Sequence, residues 1–149
     1  MTDYPRRLFF DAAAVRRIGT GLLDMSLPRA EWTHEAHLAA CLWLLIERPD
    51  VMPERDLLGI IRRYNEAKGG VNDDTQGYHE TLTQLYIRAV RKFVAGRPAG
   101  ELAAAVNALL AGPLGDRAWP LTLYSGERLF SVAARRGWIE PDQPRADAI

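Results

Sequence analysis

The chain has 149 residues, 19 of them Lys or Arg against 19 Asp or Glu, so its formal net charge is zero. That length suits one hydrophobic core rather than two, and the balanced charge offers no field that would draw the chain to nucleic acid or anionic lipid. A single cysteine, Cys41, rules out an internal disulfide and fits a reducing compartment, while the longest apolar run, LAACLWLLI, is too short to span a bilayer. The opening stretch MTDYPRRLFFDAAAVRR lacks the apolar core of a secretory leader, so a soluble, cytoplasmic protein is expected.

Alanine, leucine, arginine and glutamate dominate, and no stretch alternates apolar with polar residues for long, which predicts an all-α fold. Asp11 caps a first helix over residues 12–24, ended by Pro28. A second helix starts after Thr33 as N-cap and runs to Glu47, where the approach to Pro49 stops it. Pro53 opens a third, reaching Ala67 before Gly69 and Gly70. The turn-rich stretch GGVNDDTQG leads to a long fourth helix over residues 78–94, closed by GRPAG. A fifth covers residues 99–110, and SGERLFSVAARRG makes one or two short helices capped by Ser125 and Ser131. The expected architecture is a single-domain bundle of about five to six helices over residues 1–140, by the helix-count logic of bundles, with 141–149 as a polar tail.

All three histidines fall near the start of a long helix and on its inward face. His34, His37, Leu38, Cys41 and Leu45 recur at helical spacing along one stripe, and the second helix is apolar nearly all round, as a central element would be. On the fourth helix His79 falls in line with Leu82, Tyr86, Val90 and Phe93, opposite Arg88, Arg91 and Lys92. A buried imidazole needs partners for both nitrogens, and one ion shared by His34, His37 and His79 would supply them together. Two histidines at i and i+3 with a third from a facing helix leave an open coordination position, which suits zinc, or iron, nickel or copper. Water held there would be acidified toward neutrality, with Glu80 as the catalytic acid–base group; Glu35, Asp73, Asp74 and a Cys41 thiolate are further candidates. Tyr78, Thr83 and Asn65 are the expected ligand contacts. For each histidine alone, the plainer alternative is a capping or satisfied core residue. Trp32, just before the Thr33 cap, is placed to staple onto the first turn.

The stretches EWTHEAHLAACLWLL, RRYNEAKGGVNDDTQGYHETLTQLYIRAVRKF and YSGERLFSVAARRGWIEPD resemble a group of uncharacterised bacterial proteins with W-T-H-x-x-H, G-Y-H-E-T and S-x-E-R-L-F-S elements. The resemblance covers most of the chain and implies no particular activity. Its signature falls on Trp32, Thr33, His34, His37, Tyr78, His79, Glu80 and Thr81. Ferritin-like di-iron bundles repeat E-x-x-H; Glu31 and His34 match once, but Gln76 stands in the corresponding place before His79, which disfavours a two-metal site.

Three functional expectations follow. The first is a mononuclear metal site on His34, His37 and His79 acting on a small molecule. The second is a non-catalytic helical module whose histidines line a small-ligand pocket or cap helices. The third is an interaction protein using arginine-rich faces.

Overall fold

The computed structural model describes residues 8–97 and 100–143. Among these residues there are seven α-helices and no strand: α1 (Ala12–Leu23), α2 (His34–Glu47), α3 (Pro53–Ala67), α4 (Glu80–Ala95), α5 (Leu102–Ala111), α6 (Gly126–Leu129) and α7 (Val132–Arg136). Single 3₁₀ turns at Arg29–Glu31, Pro113–Gly115 and Trp119–Thr122 link them.

Local chemistry sets these boundaries. Asp11 accepts the Ala14 N–H, Thr33 that of Ala36, Ser125 that of Arg128 and Ser131 that of Ala134, so each cap satisfies an amide the helix cannot. Pro53 fills the first turn of α3, where a missing N–H costs nothing. Two starts differ from the sequence expectation. The fourth helix begins at Glu80, because the His79 side chain, rather than an earlier polar residue, accepts the Leu82 N–H. The fifth begins at Leu102; the expected start at residue 99 lies outside the described residues.

α2 is the central rod. It packs directly on α1, α4, α5 and α3, and Ala36, Leu38, Ala39, Ala40, Cys41, Leu42, Trp43 and Leu44 are all buried. α1 comes especially close to it: a Cβ on Gly19 would stand 2.1 Å from the Trp43 ring, so no larger residue fits there. Burying these apolar faces, at roughly 25 cal/mol per Å², is the main force holding the long helices together. A second, smaller core gathers Leu85 of α4 with Leu123, Tyr124 and Leu129, flanked by Trp119, Trp138 and Ile139. It seats the short C-terminal elements on the N-terminal half of α4, which α7 contacts directly.

Residues 141–143, expected to belong to a polar tail, are tied to this second core. Asp142 and Gln143 donate backbone N–H groups to the Leu123 carbonyl, and the Asp142 carboxylate accepts from both the Ser125 amide and hydroxyl. Residues 144–149 lie outside the described residues. No helix among the described residues is long and apolar enough to cross a membrane.

Candidate functional site

Three helices turn one stripe each toward a common cleft of about 740 Å³. α2 contributes His34, His37, Leu38 and Cys41, which recur at i, i+3, i+4 and i+7. α3 contributes Leu57, Ile61 and Asn65, each one turn from the next. α4 contributes Leu82, Thr83, Tyr86 and Ile87, and its N-cap His79 also lines the cleft. Trp32, Arg29, Pro120, Leu121, Leu129 and Phe130 add to the lining. Because α2 and α4 pack together, His34, His37 and His79 do reach the same cleft.

Their ring nitrogens have different commitments. A carbonyl can only accept, so the nitrogen facing it must carry the proton. The Nε2–H of His79 donates to the Leu129 carbonyl at 2.8 Å, and its Nδ1 accepts the Leu82 N–H at 3.1 Å. His79 is therefore fully used: it caps α4 and ties α6 to it. The Nε2–H of His34 donates to the Leu114 carbonyl at 2.9 Å, and the Nδ1–H of His37 donates to the Thr33 carbonyl at 2.7 Å. Those two bonds leave His34 with Nδ1 and His37 with Nε2 as lone-pair acceptors, both on residues of the cleft wall.

His37 combines two properties that do not usually coincide. More than a third of its surface is accessible, yet it lines the cleft, and burial there pushes its pKa down to about 4; the bond to Thr33 opposes this and nearby His34 adds to it. The two facts agree if the open surface faces the cleft rather than bulk water. At neutral pH His37 is thus an uncharged hydrogen-bond acceptor. Trp32 lies flat against it, with ring centroids 3.7 Å apart, and meets Tyr64 edge-on at 5.5 Å. This is the expected staple of Trp32, just before the Thr33 cap, onto the start of the helix, extended into a wall. Opposite, Tyr86 meets His34 at 5.7 Å and Trp119 at 5.5 Å. Burial raises the Tyr86 phenol above its ordinary pKa, so it stays protonated.

The loop between α3 and α4 is held from inside by Asn72. Its Oδ1 accepts from Asn65 Nδ2 and from the Tyr78 amide, while its Nδ2 donates to the Arg62 carbonyl and to Glu66. Gly77, at φ +82°, passes so close that a Cβ would lie 2.6 Å from Asn72 Oδ1. The loop thereby fixes Tyr78, whose hydroxyl donates to Glu80 Oε1 at 2.5 Å. Burial, then that bond, raises the Tyr78 pKa.

The remaining expectations sort by geometry. Tyr78, Thr83 and Asn65 line the cleft. Glu80 reaches it only through Tyr78. Asp73 accepts four amide or hydroxyl hydrogens from Thr75 and Gln76 within the loop, and Asp74 pairs with Arg136. Arg135 donates to the Gly77 and Tyr78 carbonyls, so the two neighbouring arginines both hold this loop. Glu35 does not line the cleft. It is buried on another side of α2, and its Oε1 has no hydrogen-bond partner. Cys41 is buried too, and burial, with Glu54 adding and Arg91 opposing, pushes its thiol up to about 12; as it stands it offers no thiolate.

A three-histidine ion site needs a lone pair from each ring, and His79 would have to give up its helix cap or its bond to Leu129 to supply one. Among the described residues no group of three His, Cys, Asp or Glu side chains is arranged to hold a metal. Arg29, Asn72 and the Trp119–Leu121 turn were not singled out by sequence reasoning. Nothing local marks Arg29 in SLPRAEW as a cleft residue, whereas Asn72 sits in a stretch whose turn chemistry was evident. No family model, curated protein or solved structure matches the chain.

Proposed function

We propose that the protein binds a small, largely apolar organic molecule in this cleft, with His34 and His37 as its polar contacts. The observation that carries the reading is the geometry of His37: its Nδ1 is tied to Thr33, and its Nε2 is uncommitted on the wall of a cleft of about 740 Å³, where burial lowers its pKa and keeps it uncharged at neutral pH. Small-molecule sites are commonly clefts of roughly 300–1,000 Å³ with mostly apolar walls and a few placed polar groups. Leu38, Leu57, Ile61, Leu82 and Ile87 provide such walls, and His34, His37, Asn65 and Tyr86 the polar groups. His79 serves this site indirectly, by capping α4 and seating Leu129 and its neighbours at the rim. A catalytic role for Glu80 would have to pass through the Tyr78 hydroxyl.

The test is to purify the untagged protein gently, denature it, and analyse the released material by mass spectrometry alongside elemental analysis. The reading expects an organic compound near one per chain, reduced in His34→Ala and His37→Ala and retained in an exposed-surface control such as Arg63→Ala. Near-stoichiometric zinc, iron, nickel or copper lost in His34→Ala, His37→Ala and His79→Ala, with no organic compound, would overturn it in favour of the ion site.

A further inference from the structure

The charges around the cleft have one sign. Among its described lining residues the formally charged side chains are Arg29 and Arg117, and no carboxylate lines it. A cationic guest would therefore find no counter-ion, whereas an anion would find a guanidinium. Six other arginines of the chain, Arg16, Arg17, Arg48, Arg55, Arg91 and Arg136, each hold a carboxylate. Arg29 has none among the described residues. Its nearby acid, Glu31, is taken by Arg17, and its own bond is a long 3.4 Å contact from one terminal nitrogen to the Lys68 carbonyl.

Position adds to charge. That contact lays Arg29 over the end of α3, where Gly70 puts no side chain in its way; a Cβ there would be 3.6 Å from both terminal nitrogens. Along α3 the lining then runs from Leu57 through Ile61 to Asn65 and on to Arg29 beyond the helix end, apolar to polar to cationic. Beside this stripe the Trp32 ring stacks on His37, and both rings are part of the cleft lining. The two parallel N–H groups of one guanidinium fork satisfy both oxygens of a carboxylate, whereas the same fork pairs with two oxygens of a phosphate and leaves the third to other donors.

Resting on the small-ligand reading above, we propose that the ligand is a monocarboxylic acid with a flat apolar body, its carboxylate on Arg29 and its body along Trp32, Ile61 and Leu57. The probes are naphthalene-2-carboxylate, the uncharged 2-naphthamide, 2-naphthylmethylammonium and 2-naphthyl phosphate, titrated into the full-length protein by calorimetry. The acid is expected to bind at least tenfold more tightly than the amide and more tightly than the phosphate, and the ammonium to bind most weakly. Arg29→Gln, an exposed position whose replacement leaves the core intact, should bring the acid down to the amide's affinity and leave the amide unchanged.

Equal binding of acid and amide, or an acid affinity indifferent to Arg29→Gln, would overturn the carboxylate assignment while leaving the cleft as a ligand site. Preference for the phosphate would likewise overturn it. If no member of the panel binds the folded protein, both this assignment and the small-ligand reading fail.

Discussion

The two cores of this molecule are built by different means. Around α2, long helices bury apolar faces against one another, and the interface between α1 and α2 depends on shape: Gly19 admits the Trp43 ring at a distance no side chain could share. Around the start of α4 the segments are short, and specific hydrogen bonds fix them. His79 reaches Leu129, the Thr81 hydroxyl donates to Gly137 and accepts from Ile139, Tyr124 donates to Ile139, and Asp142 holds Ser125. The cleft draws lining from both regions. One region supplies the wall carrying His34 and His37, and the other a rim of short elements that includes Leu121, Leu129 and Phe130.

Breaking the first region should cost most. Gly19→Leu forces a side chain into the space of the Trp43 ring, and overpacking of this kind is expected to cost about 3 kcal/mol or more, measured by urea denaturation. Survival with unchanged stability would contradict the close α1–α2 contact. Next is the loop that joins the two regions. Asn72→Ala removes four hydrogen bonds and strands part of what they satisfied, for an expected loss of about 2–3 kcal/mol together with weaker ligand binding. Thr81→Val then tests the rim alone. It should cost about 1–2 kcal/mol, with amide exchange speeding up in residues 123–139 while α1 and α2 keep their protection. Uniformly faster exchange would mean that the two regions unfold as one.

The finest distinction concerns pH. In the folded protein His37 titrates near 4, below the ordinary imidazole value of 6.5, and burial lowers His79 in the same direction. Between those limits the unfolded chain binds more protons than the folded one, so stability is fully present above about pH 6.5 and is lost as pH falls toward 4. Denaturation midpoints at pH 7.5 and 4.5 should differ less in His37→Gln than in the parent. Equal differences would mean that His37 is not enclosed.

Much of the helical framework was legible in the sequence because capping and periodicity are local. Asp11, Thr33, Pro53, Ser125 and Ser131 mark boundaries that the structure keeps, and the stripe from His34 to Cys41 faces the cleft as its spacing implied. What could not be read were partnerships between distant segments. The sequence places His79 on an inward face, but its bond to Leu129 spans 50 residues, and that bond separates a cap from a free imidazole. The same holds for Arg29 beside Gly70, for the hold of Arg135 on the Tyr78 loop, and for Glu35, which shares a helix with His34 yet is buried away from the cleft.

The most direct measurement is a titration with an uncharged apolar fluorophore, N-phenyl-1-naphthylamine, into the parent and into Thr83→Trp, which fills the cleft from α4. Saturable binding of one probe per chain, with a blue-shifted emission that disappears in a Thr83→Trp variant folded by circular dichroism, is the predicted result. No saturable binding to the parent, or equal binding to the folded variant, would contradict the assignment of this cleft as a ligand site.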